Sequence, residues 1–257
     1  MTRRPLFGAH ICDLTREDLV AKITGARAAD GVRLVATMNV DHVVSLRQNP
    51  AFRRAYAGAW AVTIDGAPIF AYGLLRDVGA PERITGADLL ADLAEAWPLD
   101  RRLFFVAASH ETGRGLIEHF RSRGFSRDAL RYACPPFGFE HDEVRSQTLC
   151  EEIRAHGATD LLFGVGAPKS EVWIDAHRDQ LGDLYAFGMG AGLDFLVGQG
   201  SRAPKILRKL GLEWTWRLGR EPTRLWRRYL VDSWGVFPSV AADLAGRAPH
   251  GGSRLDD

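Results

Sequence analysis

The sequence predicts an α/β protein built on a doubly wound, mainly parallel sheet, with a basic, aromatic, helical appendage at its C-terminal end. Three observations predict it. Short apolar, partly β-branched runs alternate with helix-start and helix-stop signals along most of the chain, which is the pattern of strand–helix–strand units. The unit over residues 33–68 holds two helical pieces between its strands, a length that favours parallel strands joined by a right-handed crossover. Beyond Gly198 the alternation stops and the composition turns basic and tryptophan-rich.

The elements follow from local chemistry. Thr15 with Asp18 three residues later makes a weak capping box, opening a helix that runs to about Ala29 and stops near Gly31. Residues 33–38 form the first strand, which breaks at Asn39. Asn49-Pro50 starts a helix, with Asn as N-cap and Pro at the first helical position. Residues 60–64 form the next strand, ended by Asp65-Gly66. A helix over 67–75 leads into the charged loop 76–83, and Thr85 with Asp88 caps a helix that ends before Pro98. A strand over 102–108 precedes a helix over 110–123, stopped by Gly124. The strand over 130–134 runs into Pro135-Pro136-Phe137-Gly138, and a helix over 142–156 ends at Gly157. A strand over 160–165, a helix over 169–181 and a strand over 184–187 complete the alternation.

Composition excludes several classes. The chain has 257 residues, enough for one large α/β domain or a domain plus an appendage. A net charge of +1 offers no global field for nucleic acid. Cys12, Cys134 and Cys150 are scattered, which argues against a zinc site or a disulfide framework and suits a reducing cytoplasm. The N-terminus reaches charge too soon for a signal peptide, and no run approaches the roughly 18 apolar residues of a membrane span. A membrane role is therefore expected to be peripheral.

The charge is unevenly placed. Residues 202–228 carry nine Lys/Arg against two Glu, so this stretch is +7 and the rest of the chain −6. Trp214, Trp216, Trp226 and Trp234, four of the seven tryptophans, lie in or just beyond it. Arg217, Arg220, Arg224 and Arg227/Arg228 fall at helical spacing, with Trp214, Leu218, Leu225 and Tyr229 on another face. A helix with basic and apolar faces can lie on a membrane surface or grip phosphate, and it can equally be a core-packed helix with a solvated basic face. The division expected is a domain over 1–200, an appendage over 201–245, and a tail over 246–257 without fixed structure.

The parallel unit brings Thr37, Asn39 and Asp65 to the carboxyl ends of neighbouring strands, the edge where open α/β sheets bind ligands. Asp65 there reads either as a catalytic base or as half of an ordinary Asp-Gly turn. The loop from Gly164 through Gly166 to Ser170 and Glu171 follows a strand and opens a helix, so its amides can approach a phosphate. A second glycine-rich strand end, Gly188 to Asp194, reads the same way, and both also read as tight turns. The full GxGxxG fingerprint, GxxxxGK[ST], GxSxG and Asp-x-Asp are absent, and the 140–143 acidic run reads as a charged helix start rather than a metal site.

Read in order, TMNVDHVV, an Asn-Pro, a D-G-x-P turn, ERITGADLL, GVGAPKSE, G-x-G-x-D-F-L-x-G with RAP, and EWTWRLGREPTRLWRRY resemble the WecG/TagA/CpsF glycosyltransferases across nearly the whole chain. The resemblance implies a Rossmann-like domain with a C-terminal appendage. It implies metal-independent, inverting transfer of a sugar from a UDP-sugar to a polyprenyl-diphosphate-linked sugar, with no cofactor, at the cytoplasmic membrane face, in making cell-surface or exopolysaccharides. By position, Asp65 matches the family's base, Thr37 and Asn39 pocket residues near the donor sugar, and Arg83 a pocket arginine. Phe137 and Asp194 match uridine contacts, while Arg217, Arg224 and Arg227 match appendage arginines that reach the acceptor diphosphate. One departure stands out. The family has Gln before the Glu of G-x-P-x-Q-E, and here that residue is Ser170, which leaves room or loses a hydrogen bond near the donor. The resemblance therefore stops short of naming N-acetylmannosamine as the donor sugar. Two other classes fit parts of the sequence: a nicotinamide-dependent oxidoreductase on the same kind of sheet, and a non-catalytic membrane scaffold. A monomer on the membrane and a self-associated form are both compatible with the appendage.

Overall fold

The computed structural model describes residues 5–199, 203–204, 207, 213–220, 222–223, 226–227 and 232–246. Its centre is a six-stranded sheet, all parallel, made of β1 (Val32–Met38), β2 (Ala61–Ile64), β3 (Leu103–Val106), β4 (Leu130–Ala133), β5 (Asp160–Phe163) and β6 (Leu184–Gly188). The strand order is β2-β1-β6-β5-β3-β4. Most strand residues are apolar because both faces of the sheet are covered, as parallel sheets require. Alternate residues divide between two cores. Leu34, Ala36 and Met38, with Phe104 and Val106, enter one core; Val35 and Phe105 enter the other.

Helices α2 (Val40–Gln48), α3 (Pro50–Ala57), α4 (Ala67–Leu75), α7 (Glu143–His156), α8 (Lys169–Ala176) and α9 (Arg178–Leu181) line the first core. Helices α1 (Arg16–Gly25), α5 (Gly86–Ala96), α6 (His110–Ser122) and α10 (Gly192–Leu196) line the second. Side-chain caps set their starts, at Thr15, Asn49 and Thr85 as expected and also at Asn39, Ser109 and Asp142. Each of these side chains accepts a hydrogen bond from a first-turn amide.

Two helices are shorter than expected. Helix α1 stops at Gly25 rather than near Ala29. The Arg101 guanidinium, buried with Asp160, draws in the carbonyls of Ile23, Thr24 and Ala26 and so caps the helix end. The helix expected over 169–181 is broken into α8 and α9 at His177. The His177 ring donates from Nδ1 to the Trp173 carbonyl at 2.8 Å and stacks on the Trp173 ring at 4.4 Å, competing with the helical ladder.

Beyond α10, helix α11 (Glu213–Arg220) and helix α12 (Val236–Leu244) are described. Helix α12 returns to the body. Its buried Asp243 accepts from the Phe7 amide at 2.8 Å and the Tyr72 hydroxyl at 2.7 Å, and pairs with Arg76 at the end of α4. Gly235 lies against Val44 of α2, where an added Cβ would meet the valine at 3.0 Å. Arg224 and the tail beyond 246 lie outside the described residues.

Candidate active site

The carboxyl edge of the sheet carries two groups of polar residues. The first sits on β1 and β2. Thr37 pairs with Thr63 in register, and the Asp65 and Gly66 amides both bond to the Met38 carbonyl. Asp65 therefore leaves β2 beside Asn39, the residue that caps α2. Arg83 donates from Nη1 to the Asp65 carbonyl at 2.8 Å, and the Gly86 amide points at Asp65 Oδ2 from 3.4 Å. Gly86 is the first residue of α5, so the Asp65 carboxylate faces the positive end of an eleven-residue helix. The half-buried Asp65 and Arg83 side chains give this end of the edge an acceptor for protons and a planar cation suited to phosphate oxygens.

Thr37 and Asn39 sit differently from a pair of open pocket residues. Thr37 is buried beneath Gly86, whose added Cβ would lie 3.2 Å from Thr37 Oγ1. Asn39 uses its carbonyl oxygen to cap the His42 amide at 3.1 Å. Behind them, His42 Nδ1 and the Tyr56 hydroxyl are 2.6 Å apart and buried. Burial, then the charges of Glu171 and Asp65, push the Tyr56 phenol well above its usual range.

The second group lies on the β5, β6 and β4 loops. The two glycines of Gly164-Val-Gly166 do separate jobs. A Cβ on Gly164 would meet Leu193 of α10 at 2.8 Å, so this glycine permits close packing. Gly166 has φ +88° with open space around its Cα, which makes it the turning residue. Ser170 is buried and donates to the Gly166 carbonyl at 3.1 Å, so its hydroxyl turns back into the loop. Glu171 is 1% exposed, and its Oε2 finds no hydrogen-bond partner among the described residues. Burial pushes its carboxyl up to about 7.

Phe137 is 96% exposed on the loop after β4. The Lys169 ammonium lies 4.6 Å from its ring centroid and 3.6 Å from Glu140. Asp194, on α10, takes the Thr112 hydroxyl at 2.6 Å. The two groups meet through α10 and α5, since a Cβ on Gly192 would lie 3.9 Å from the Ala87 Cα. Of the appendage arginines, Arg217 lies within α11 and Arg227 is exposed. Sequence reasoning missed Lys169 and Thr112, although Lys169 lies within the glycine-loop motif. It also missed the Gly86 amide, for which the Thr85 cap signal was the available pointer.

Residues 4–249 match the Glycosyl transferase WecG/TagA/CpsF family. The chain belongs to that family. It is a glycosyltransferase, and neither an oxidoreductase nor a non-catalytic scaffold. A WecG/TagA/CpsF relative from Bacillus spizizenii, named N-acetylglucosaminyldiphosphoundecaprenol N-acetyl-beta-D-mannosaminyltransferase, is 26% identical over 225 residues, covering 87% of this chain and 84% of the relative. A Staphylococcus aureus relative of the same name (strain MRSA252) is 29% identical over 140 residues, covering 52% of this chain and 51% of its own. Within this family member, no helix among the described residues is long and apolar enough to cross a membrane.

Proposed function

We propose that this family member moves a sugar from a UDP-sugar to a sugar carried on a polyprenyl diphosphate, with inversion and without a metal, for cell-surface or exopolysaccharide assembly. The observation that carries the reading is the Asp65 carboxylate at the end of β2, with Arg83 bonded to its own carbonyl. The relatives' names supply the acceptor class, N-acetylglucosaminyl-diphospho-undecaprenol. Asp65 takes the proton of the acceptor hydroxyl as that oxygen attacks the anomeric carbon. The bond from that carbon to the UDP diphosphate breaks on the opposite face, and the departing diphosphate gathers negative charge.

Arg83, the Gly166 loop amides and the first turn of α8 supply positive potential for that charge. Arg217, Arg224 and Arg227 add cations for the acceptor diphosphate. Phe137 offers an open aromatic face for the uracil, with Lys169 at its ring, and Asp194 offers a carboxylate to the ribose. Thr37 and Asn39 act by shaping the ground beneath Asp65. The basic, tryptophan-bearing segment holds the protein on the inner face of the membrane, where the acceptor lies. Exposed Trp226 and Trp234 suit the headgroup layer.

The test is UDP release by the purified chain with a lipid-diphosphate-linked N-acetylglucosamine acceptor and a panel of UDP-sugars, in EDTA. Release that needs the acceptor and ignores EDTA is expected. Loss of release in EDTA, restored by a divalent cation, would overturn metal independence. Absence of UDP binding by calorimetry would overturn the donor.

A further inference from the structure

The Thr112 hydroxyl is a crossing point. It lies 2.6 Å from Asp194 Oδ1, 2.8 Å from Gln199 Oε1 and 3.0 Å from Ser109 Oγ. Its backbone amide also donates to Ser109 Oγ at 3.0 Å, the cap that starts α6. One hydroxyl carries one proton and two lone pairs. The proton goes to the shortest and charged contact, Asp194. The lone pairs then take the Ser109 hydroxyl and, once the oxygen and nitrogen of the Gln199 amide are exchanged so that its NH2 rather than Oε1 faces Thr112, the Gln199 amide. Every valence of the oxygen is used.

The backbone supports the same arrangement. The Gln199 amide bonds to the Asp194 carbonyl at 3.0 Å, closing the loop at the end of α10. Gly198 has φ +73° there. On α6, a Cβ at Gly115 would meet Val197 at 3.1 Å, so the missing side chain lets this loop settle on the helix beside Thr112. Thr112 is buried, whereas Asp194 is half-buried and Gln199 exposed. Asp194 thus has one oxygen fixed from below and Oδ2 without a protein partner among the described residues.

We propose that Thr112 is a positioning residue for donor binding: it fixes the Asp194 carboxylate, and with it the exit of the chain from α10, so that Asp194 Oδ2 is aimed at the ribose hydroxyls of the nucleoside diphosphate. This rests on the nucleotide role given to Asp194 above. A rotating Asp194 would have to be ordered on binding, which weakens binding without touching the chemical step.

The experiment measures UDP binding to the full chain by calorimetry, alongside melting temperature, for wild type, Thr112→Val, Thr112→Ser and Gln199→Ala. Thr112→Val keeps the shape and removes the hydroxyl. Its UDP dissociation constant is expected to rise about tenfold, the weight of a hydrogen bond to a charged group. Thr112→Ser restores the hydroxyl and is expected to bind within about twofold of wild type, since the same hydrogen bonds re-form. A purely structural role would follow melting temperature instead of the hydroxyl. Gln199→Ala, at an exposed residue, leaves no buried cavity and carries the test if Thr112→Val fails to fold; a loss of about fivefold is expected from one neutral hydrogen bond. Variants that bind UDP as wild type does overturn the positioning role alone. A wild-type chain that binds no UDP overturns the nucleotide reading and this role together.

Discussion

Replacing Glu171 with Gln should make the protein more stable at neutral and alkaline pH and change little in acid. The carboxyl is fully buried under Gly188, where an added Cβ would lie 2.4 Å from Oε1, and Oε2 has no partner among the described residues. Its ordinary value of 4.5 is raised to about 7 by burial, with only its own backbone amide opposing. A raised value in the folded state means that the fold keeps a proton the unfolded chain has released. The stability contributed by the neutral form is therefore complete below pH 4.5 and is lost as pH rises through 7. The gap between 4.5 and about 7, at about 1.4 kcal/mol per pH unit, amounts to about 3 kcal/mol. Gln is the neutral isostere and does not titrate, so it escapes this loss. Denaturant melts of both proteins at pH 5 and pH 8 are the assay. The advantage of Glu171→Gln over wild type should be larger at pH 8 by about 2–3 kcal/mol, or about 5–10 °C in melting temperature for a chain of this size. Asp160, which burial raises to about 6 against the pull of Arg101, titrates in both proteins and cancels. An advantage that is the same at both pH values would refute the reasoning.

Asp65→Asn should lower the transfer rate by about 10²–10⁴-fold, the usual weight of a general base, with UDP affinity retained by calorimetry. Retained transfer would sink the base role. Arg101→Ala should cost about 3–5 kcal/mol in denaturant melts, because it leaves Asp160 buried without its ion partner and frees the carbonyls at the end of α1. Asp243→Ala should release α12 from the Phe7 amide, Tyr72 and Arg76. Limited proteolysis should then cut near residues 232–246 well before the sheet is attacked, and uniform resistance would contradict it.

Much of the fold was legible because its signals are local. A cap side chain bonds an amide two or three residues away, so Thr15, Asn49 and Thr85 announced their helices directly. The β1–α2–α3–β2 unit was legible from one loop length and the handedness rule, which brought Asn39 and Asp65 to one edge. Where sequence reading failed, a distant partner had intervened. Arg101 shortened α1 across more than seventy residues of chain, and the split between α8 and α9 depended on how the His177 ring packs on Trp173.

The same division runs through the site. The chain by itself determined the α/β class, the parallel β1–β2 pair, the family, and which residues carry acid, amide and guanidinium at the carboxyl edge. Those follow from periodicity, short-range capping and motif order, all of which are properties of neighbours in the chain. Only the tertiary structure decided which of them face outward. Thr37 is covered by Gly86, Gly164 makes room for Leu193, Ser170 bonds back to its own loop, and Phe137 stands in the open. It also decided that Glu171 is buried with its Oε2 lacking a hydrogen-bond partner among the described residues, and that Thr112 holds Asp194. Burial and long-range contact depend on how strand order folds residues from remote parts of the chain onto one another, and no window of the sequence contains that information.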